Sequence, residues 1–505
     1  MLRSRRFDWE KELRHFPLNP KGVPAKLKQS VEERIAMEAT SKRIPGKWWA
    51  AAAALLLASA VLFVQREPIL GLFKPDTAPK PFDAVTERSV KVQWYDGMSF
   101  MSRYGQAFVI RYPNMDVETV NSPPYDPSQD RAAQYEAMIE KEKPDVVYLP
   151  MDVFPKLAAK GLLLPLDSIA AKDNYDWTVY RDGVLSAIRE AGGGGELYGL
   201  SPNYTVNALY YNKTLFDRYG VPYPQDRMSW EELFQLARRF PAGGTGDERV
   251  YGFVNDYASP FGTADSAART AGLGLTDADA TRMTANSEPW RTIWTYVADG
   301  VSKGWLYETP PRTGTISGID YYKRNPFLTG NAAMMLTRPN LANDLVQAKK
   351  RHNLANFDWQ IVTEPVDPAR PDVSSTFAME GVYAIPASSP NVRDAWEMIK
   401  HIHSEPMAKK VAIQYDSNVL SSLASFVSKT EGPSLEAFSR LKPDGSTAGL
   451  VGGRMTNELY GELTTVVDEE IKAAAAGSKS VDDAIDAIQL RGQQALDKAN
   501  AANKP

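Results

Sequence analysis

The alternation of strand and helix patterns between residues 89 and 150 constrains the fold of this chain more than any other feature. SVKVQWY (89–95), MDVETV (115–120) and PDVVYLP (144–150) have the apolar, β-branched character of strands. MSRYGQAFVIRY (101–112) and DRAAQYEAMIEKEK (130–143) lie between them and have helical spacing. This β-α-β-α-β order predicts a parallel sheet covered by helices on both faces, hence an α/β fold.

The carboxyl ends of these strands are the expected place for a ligand, because open sheets of this kind bind ligands there. The three tips are Tyr95-Asp96-Gly97, residues 123–126 and Met151-Asp152. Tyr95, Asp96 and Asp152 are therefore candidate ligand contacts. Capping of the following helix is the alternative role for both aspartates.

Length and composition narrow the class of protein. A chain of 505 residues is too long for one core, so two or more domains are expected. The absence of cysteine excludes disulfides, thiolate metal sites and a cysteine nucleophile. A formal net charge of −4 gives no general attraction to nucleic acid. His401 and His403 would point to different faces of a helix, so we expect neither a metal nor another cofactor.

A second constraint is the apolar run Trp48–Val64, WWAAAAALLLASAVLFV, seventeen residues without a charge. Crossing a bilayer takes about 17–25 residues, so this run predicts one transmembrane helix. Residues 1–47 hold twelve Lys/Arg against six Asp/Glu, which favours a cytoplasmic N-terminus. A signal peptide cleaved after Ala58-Ser59-Ala60 is the alternative.

Helical patterns at Trp230–Phe240 and Pro289–Lys303 predict further helices, and the spacing of Trp290 and Trp294 is that of a buried stripe. Tyr210 and Tyr211 lie in a predicted strand and are expected in a core. Together these patterns suggest a second, mostly helical lobe.

Residues 197–233, LYGLSPNYTVNALYYNKTLFDRYGVPYPQDRMSWEEL, resemble the signature of extracellular solute-binding proteins of ABC importers, in the branch that binds sugars and oligosaccharides. The shared elements are Tyr-Gly-Leu, a short apolar strand, Tyr-Asn-Lys, Leu-Phe, Gly-Val-Pro and Trp-Glu-Glu-Leu. Three later segments agree in order: FLTGNAAMMLTRP (327–339), EGVYAIPASSPNVRDAWEMIKHIHSEPMAKKVA (380–412) and ELTTVVDEEIKAAAAGSKSVDDAIDAIQLRGQQAL (462–496). The resemblance covers about Arg88 to Ala499.

The resemblance implies a two-lobed clamshell of the type II periplasmic-binding-protein kind, preceded here by the membrane helix. The lobes would be joined by strands crossing near Asn203–Asn207 and Pro371–Glu380, and would close around the ligand. The expected organisation is a cytoplasmic segment (1–47), the transmembrane helix (48–64), a linker (65–87), the first lobe (88–203 and 372–430), the second lobe (204–371) and C-terminal helices (431–505).

Sugars present hydroxyl groups to carboxylates, amides and arginine, and apolar ring faces to aromatic side chains. The resemblance places an acidic hydroxyl-binding residue at Asp152, which makes Asp152 the strongest single candidate. It also implies ligand contacts from both lobes and the crossings: Asn203, Tyr204, Asp256, Tyr257, Arg338 and Glu380. For Arg338 a surface ion pair is the alternative.

The function implied is capture of a small-molecule ligand, a sugar or oligosaccharide, and its delivery to ABC transporter permease subunits. Most Gram-positive members are held by a lipidated cysteine; this sequence has none, so the helix at 48–64 would attach it to the membrane. One alternative is a sensor that signals through residues 1–47. A carbohydrate-active enzyme is the other, but no carboxylate pair, nucleophile elbow or metal motif is recognisable.

Overall fold

The computed structural model describes residues 86–126, 129–244, 249–256, 258–277, 279–310, 318–414, 419–425, 432–443 and 457–502. The predicted membrane helix at 48–64, the segment 1–47 and nearly all of the linker lie outside the described residues, as does Tyr257. Within those described ranges, no helix combines the length and apolar character that crossing a bilayer requires.

The first lobe is built on a four-stranded sheet in the order β10-β3-β1-β2. Its strands are β1 (Arg88–Trp94), β2 (Met115–Asn121), β3 (Val146–Pro150) and β10 (Gly381–Ala384). β1 pairs in parallel with both β2 and β3, which confirms the predicted parallel arrangement. β10 returns from far along the chain and adds antiparallel to β3, with Gly381 opposite Pro150.

The second lobe contains a sheet in the order β6-β7-β5-β8. Its strands are β5 (Ala208–Asn212), β6 (Tyr251–Asn255), β7 (Ala332–Thr337) and β8 (Trp359–Thr363). β6 and β7 are parallel, whereas β5 is antiparallel to both of its neighbours. The prediction of a mostly helical second lobe therefore missed this sheet, because its strands are short apolar runs separated by long helices.

The remaining short strands are β4 (Asn203–Tyr204), β9 (Val373–Ser374), β11 (Leu420–Ser421) and β12 (Lys442–Pro443). The first-lobe helices are α1 (Gly97–Phe100), α2 (Gln106–Arg111), α3 (Arg131–Glu142), α4 (Phe154–Ala159), α5 (Leu166–Lys172), α6 (Val184–Ala191), α13 (Val392–Ile402) and α14 (Glu405–Gln414). The second-lobe helices are α7 (Lys213–Tyr219), α8 (Trp230–Ala237), α9 (Pro260–Thr270), α10 (Glu288–Lys303), α11 (Ile319–Lys323) and α12 (Asn340–His352). A π-helical turn (Met101–Gly105) joins α1 to α2, and α15 (Asn457–Ala475) and α16 (Val481–Ala502) follow at the C-terminus.

Two crossing segments join the lobes and lie side by side. Thr205 and Ala378 exchange both backbone hydrogen bonds, at 2.8 and 2.9 Å. The Asn207 N–H donates to the Thr376 hydroxyl at 2.8 Å. β4 of the outgoing crossing also pairs with β11, placing Tyr204 opposite Leu420. The crossings therefore lie where the resemblance implied, and they are held to each other by backbone hydrogen bonds.

The core of the second lobe contains the predicted tryptophan stripe. Trp290 and Trp294 are 1% and 0% exposed, and their rings stack with centroids 4.8 Å apart. Leu463 of α15 and Ile485 of α16 belong to the same buried cluster. The interpretation of these tryptophans as core residues is confirmed, and the C-terminal helices complete that core.

Candidate functional site

A cavity of about 170 Å³ lies where the carboxyl ends of the first-lobe strands meet the outgoing crossing. Four of the predicted ligand contacts line it: Tyr95, Asn203, Tyr204 and Glu380. The other lining residues are Trp94, Arg103, Tyr104, Tyr148, Ser201, Pro202, Thr205, Tyr383 and Val419. The structure thus brings together residues from three parts of the sequence that the strand-end rule and the resemblance had indicated separately.

The cavity has an aromatic floor in which each ring is oriented by the next. Tyr95 meets Tyr148 edge to face at 5.3 Å, and Tyr148 meets Tyr383 at 4.9 Å. Tyr383 in turn contacts Tyr104 edge to face at 6.0 Å. Tyr104 and Tyr383 are each 1% exposed, whereas Tyr95 is 45% exposed. Buried rings therefore fix the orientation of an accessible one, which suits contact with an apolar ligand face.

Two local features place Tyr148 in this floor. The side chain of Gln93 is fully buried in β1; its amide donates to the Ser122 hydroxyl at 2.7 Å and its oxygen accepts from the Tyr148 N–H at 3.1 Å. Gly381 lets β10 approach closely, because a Cβ there would lie 2.5 Å from the Leu149 carbonyl oxygen and 2.9 Å from Cζ of Tyr148. Only glycine fits this contact without a shift of backbone.

Charged and hydroxyl groups supply the polar part of the cavity. The Arg103 guanidinium lies 5.6 Å from the centroid of the Trp94 ring, a cation–π distance, and Glu380 is an exposed carboxylate. Burial raises the pKa of Tyr95, and the negative charge of Glu380 raises it further while Arg131 opposes the change. Burial also raises the pKa of Tyr104 to about 12. These hydroxyls stay protonated near neutral pH and remain hydrogen-bond donors.

The crossing residues have a packing role as well as a place in the cavity. Tyr204 is only 5% exposed, and its ring lies 5.2 Å from that of Phe377 on the returning crossing. The Ser201 hydroxyl donates to the Asn203 carbonyl at 2.8 Å, which fixes the chain just before the crossing. Tyr204 therefore joins the two crossings through its ring while one edge borders the cavity.

The structure places Asp96 and Asp152 outside the residues that line the cavity. Asp96 accepts a hydrogen bond from the Ser99 N–H at 2.8 Å and so caps α1. Both oxygens of Asp152 accept from Arg131, at 3.0 and 3.1 Å, and its side chain is 57% exposed. Val153 occupies the cap position of α4, so the capping alternative was right for Asp96 and wrong for Asp152.

Two of the second-lobe candidates, Asp256 and Arg338, follow neighbouring strands of that lobe's own sheet. Asp256 follows β6 and Arg338 follows β7, and these strands are parallel. The Thr337 hydroxyl donates to Asp256 at 2.7 Å, and the Tyr210 hydroxyl lies 3.3 Å from the Arg338 carbonyl oxygen. Neither Asp256 nor Arg338 is among the described residues that line the 170 Å³ cavity.

Nine lining residues were not predicted, and five of them carry aromatic or charged side chains: Trp94, Arg103, Tyr104, Tyr148 and Tyr383. Trp94 is the last residue of β1 and Tyr148 lies near the end of β3, so counting one or two residues back from each strand end would have found both. Tyr104 and Arg103 lie on the helix that follows β1. Tyr383 reaches the cavity only through the pairing of β10 with β3, which no local pattern predicts.

The histidine pair lies behind the aromatic floor. His401 and His403 are 1% and 4% exposed, with ring nitrogens 3.2 Å from the Tyr104 carbonyl oxygen and 2.8 Å from the Ile399 carbonyl oxygen. Burial lowers their pKa values, to about 3 for His401 and about 4 for His403. In the described ranges, no group of three or more His, Asp or Glu side chains could hold a metal ion.

A family model described as bacterial extracellular solute-binding protein matches residues 111–438, more than half of the chain. Curated relatives are a binding protein of Brucella abortus (strain 2308) and one of Brucella suis biovar 1 (strain 1330). Each is 24% identical over 267 residues, which cover 51% of this chain and 59% of the relative. The chain thus spans about three fifths of the length of the curated relatives it matches.

Solved structures share the two-lobed architecture. A family 1 extracellular solute-binding protein from Alicyclobacillus acidocaldarius has a TM-score of 0.57 at 17% identity, covering 83% of this chain and 100% of its own. A sugar transporter from Rhizobium etli, in an open conformation, has a TM-score of 0.53 at 18% identity, covering 80% and 98%. The sugar-binding protein MalE from Xanthomonas citri has a TM-score of 0.50 at 16% identity, covering 83% and 100%. The predicted two-lobed α/β fold is confirmed.

Proposed function

This chain belongs to the bacterial extracellular solute-binding proteins, and we propose from that premise that it captures a sugar or oligosaccharide for an ABC importer. The observation that carries the proposal is the cavity at the crossing, where an oriented aromatic floor meets charged and amide groups. Two of the solved proteins with this fold are described as a sugar transporter and a sugar-binding protein, which supports the same ligand class.

The lining residues offer the two kinds of contact that a sugar needs. Tyr95 and Tyr148 present ring edges and faces to the apolar side of a pyranose. Arg103 can donate to ligand oxygens, Glu380 can accept from hydroxyls, and the Asn203 amide can do both. A lining that carries one cation and one anion suits a neutral polar ligand better than a strongly charged one.

The cavity is smaller than a complete ligand site, since such sites generally enclose about 300–1,000 Å³. Closure of the second lobe would complete it, with Asp256 and Arg338 contributing from the ends of β6 and β7. Tyr257, which follows Asp256 in the sequence, is the third contact proposed for this lobe. Asp152 would join from beside Arg131. A ligand that contacts both lobes binds the closed form better, and so shifts the population of conformations toward it.

The Trp48–Val64 helix would tether the binding domain on the outer side of the membrane, with the N-terminus in the cytoplasm. It would replace the lipidated cysteine that this sequence lacks. The permease subunits of an ABC importer are the proposed protein partner. An importer needs its binding protein kept near the permease, and a tether raises the local concentration for that encounter.

Binding without chemical change fits the lining better than catalysis does. Among the described lining residues, Glu380 is the only carboxylate. Glycoside hydrolysis generally uses two carboxylates about 5–10 Å apart. We therefore propose no enzymatic role.

Thermal unfolding of the full-length chain with a panel of monosaccharides, oligosaccharides and peptides tests this proposal. A sugar present at a hundred times its dissociation constant should stabilise the fold by about 2.7 kcal/mol. Stabilisation by a peptide, with every sugar inactive, would contradict the sugar assignment and leave the family assignment intact.

A further inference from the structure

Glu364 is a carboxylate buried at the base of the returning crossing. It directly follows β8 and is 1% exposed. Its Oε1 accepts from the Ser374 hydroxyl at 2.5 Å, the Ser375 N–H at 2.9 Å and the Thr376 N–H at 3.3 Å. Its Oε2 accepts from the Thr376 hydroxyl. We call Glu364 together with Ser374, Ser375 and Thr376 the hinge clamp.

The two hydroxyls that donate to Glu364, those of Ser374 and Thr376, are each oriented by a backbone N–H group. The Ser374 hydroxyl oxygen accepts from the Phe377 N–H at 3.1 Å. The Thr376 hydroxyl oxygen accepts from the Asn207 N–H at 2.8 Å. Each hydroxyl therefore has its own proton available for Glu364. The Glu364 carboxylate therefore bonds directly to the returning crossing. Through the Thr376 hydroxyl it is also linked to Asn207 on the outgoing crossing.

The hinge clamp is also fixed to the second lobe. The Ser375 hydroxyl lies 2.9 Å from that of Thr270 in α9, and the Thr270 hydroxyl accepts from the Trp230 indole at 2.9 Å. On the other side, only Phe377, Ala378 and Met379 separate the hinge clamp from Glu380 in the cavity. The part of each crossing beyond the hinge clamp is therefore short and ends at the ligand cavity.

A buried carboxylate needs a reason to be retained, because burying a charge is costly unless hydrogen bonds compensate for the lost water. Four donors satisfy Glu364, whereas a pair of apolar residues could have packed the same space. Burial raises its pKa to about 7, although the four donors oppose the rise. The charged groups on adjoining elements are Asp226 and Arg227, which bond to Thr363, with Arg440 and Asp372 paired to them.

We propose that Glu364 is the positioning residue that sets where the hinge bends. With the hinge clamp intact, Asn207 and Thr376 move with the second lobe, and closure bends only Thr205, Val206 and Phe377–Met379. Bending is thereby confined to the residues next to Asn203, Tyr204 and Glu380, where a ligand can favour it. The inference rests on the proposed function only in taking lobe closure to be what ligand binding uses.

The test uses ligand-free protein, so it does not depend on knowing the sugar. The chain has no cysteine, which allows spin labels at Glu140→Cys in the first lobe and Arg239→Cys in the second, both exposed positions. Pulsed electron paramagnetic resonance then gives the distribution of distances between the lobes. It is measured with the native hinge and with Glu364→Gln, Thr376→Val or Thr284→Val.

Glu364→Gln and Thr376→Val should each broaden or shift the distance distribution, because each disrupts the link from Glu364 to Asn207. Thr376→Val removes the shared hydroxyl, and Glu364→Gln replaces a carboxylate oxygen by an NH2 group, which cannot accept the hydroxyl proton. Thr284→Val is the matched control: it removes a threonine hydroxyl that donates to the Gly274 carbonyl at 2.8 Å in the second lobe, outside the hinge clamp and both crossings. Hydrogen exchange at the Asn207 backbone N–H should become about tenfold faster in Glu364→Gln, because local opening of the crossings becomes easier. Glu364 has no direct bond to Asn207, so this change would report the link through Thr376.

Thr376→Val keeps the Glu364 carboxylate and three of its four hydrogen bonds. It therefore still tests the proposed role of Glu364 if Glu364→Gln fails to fold. The inference fails if Thr376→Val leaves the distances between the lobes unchanged, or if Thr284→Val changes them equally. Failure of the proposed function looks different: the hinge variants shift the distances, yet no sugar stabilises the protein.

Discussion

The two lobes use their aromatic residues in opposite ways. In the first lobe, rings at the ends of strands converge on an accessible cavity, with Tyr95 45% exposed above buried Tyr148 and Tyr383. In the second lobe, Trp290 and Trp294 stack inside the core, and their indole N–H groups donate to the carbonyls of Gly274 and Ala285 at 2.9 and 3.0 Å.

The difference follows from where each side chain is attached. A strand that ends at the cleft delivers its last rings to the edge of the sheet, whereas the stripe on α10 packs its rings into a core shared with α9, α15 and α16. Aromatic content alone therefore says little about ligand binding; the position of each ring relative to a strand end says more. The comparison predicts that removing an aromatic side chain from the second-lobe core lowers the free energy of unfolding. Removing one from the cavity should instead lower the affinity for ligand.

The largest effect is expected from Trp294→Ala. Removing a fully buried tryptophan typically lowers the free energy of unfolding by about 3–5 kcal/mol, and Trp294 is 0% exposed. Urea unfolding measures the loss. Met98→Ala is the control, because Met98 is 86% exposed in the first lobe and should change stability by less than about 0.5 kcal/mol. A loss below about 1 kcal/mol in Trp294→Ala would show that this lobe's rings do not carry its core.

Acid should destabilise the first lobe through its buried histidines. His401 and His403 have pKa values lowered to about 3 and about 4, whereas unfolded histidine has about 6.5. Below pH 6.5 the unfolded chain gains protons that the folded one does not, so stability is lost as pH falls. Between pH 7 and pH 5 the loss should be about 2 kcal/mol per histidine.

The matched measurement for this prediction is urea unfolding of His403→Gln at both pH values. The difference between wild type and variant removes the contribution of every other group. The contribution of Glu364 is removed in the same way. Its pKa is raised to about 7, so it stabilises the folded state as the pH falls, opposite to the histidines. An equal pH dependence in wild type and His403→Gln would contradict the role assigned to His403.

An intermediate effect is expected from Gly381→Ala, which acts on the cavity through the backbone. The added Cβ would lie 2.5 Å from the Leu149 carbonyl oxygen, so β10 must move away from β3. Overpacking of this kind typically costs about 1–3 kcal/mol, and the shift should also displace Tyr148 and weaken ligand binding. Gly195→Ala is the control, since no atom lies within 4 Å of its added Cβ. If Gly381→Ala and Gly195→Ala had the same stability and ligand affinity, the close approach of β10 to β3 would not require glycine.

The smallest change in stability is expected from Asp152→Ala. Its ion pair with Arg131 is exposed, and exposed pairs typically contribute about 0–1 kcal/mol. The prediction that Asp152 contacts ligand requires a loss of affinity with stability unchanged, measured by calorimetry with whichever sugar stabilises the wild type. Unchanged affinity would remove Asp152 from the site and leave the aromatic cavity as the main ligand surface.

Local patterns predicted the first sheet because strands and helices there alternate at short range. They could not predict that β10 joins the sheet, since that pairing joins residues far apart in sequence. The same limit hid Tyr383 and the contact between Glu364 and Thr376. At the strand ends, sequence could not separate capping from ligand contact for Asp96, because both roles require a short polar side chain at a strand–helix junction.

Calorimetric titration of wild-type and Tyr95→Ala protein with the sugar panel tests most directly whether the first-lobe aromatic residues bind ligand. We expect saturable binding of at least one sugar to the wild type. In Tyr95→Ala that binding should weaken by about tenfold, the loss of roughly 1.4 kcal/mol expected from removing an aromatic contact. The unfolding transition should stay near that of the wild type, because Tyr95 is 45% exposed. Equal sugar affinity in both proteins would contradict the assignment of the aromatic floor as the ligand surface.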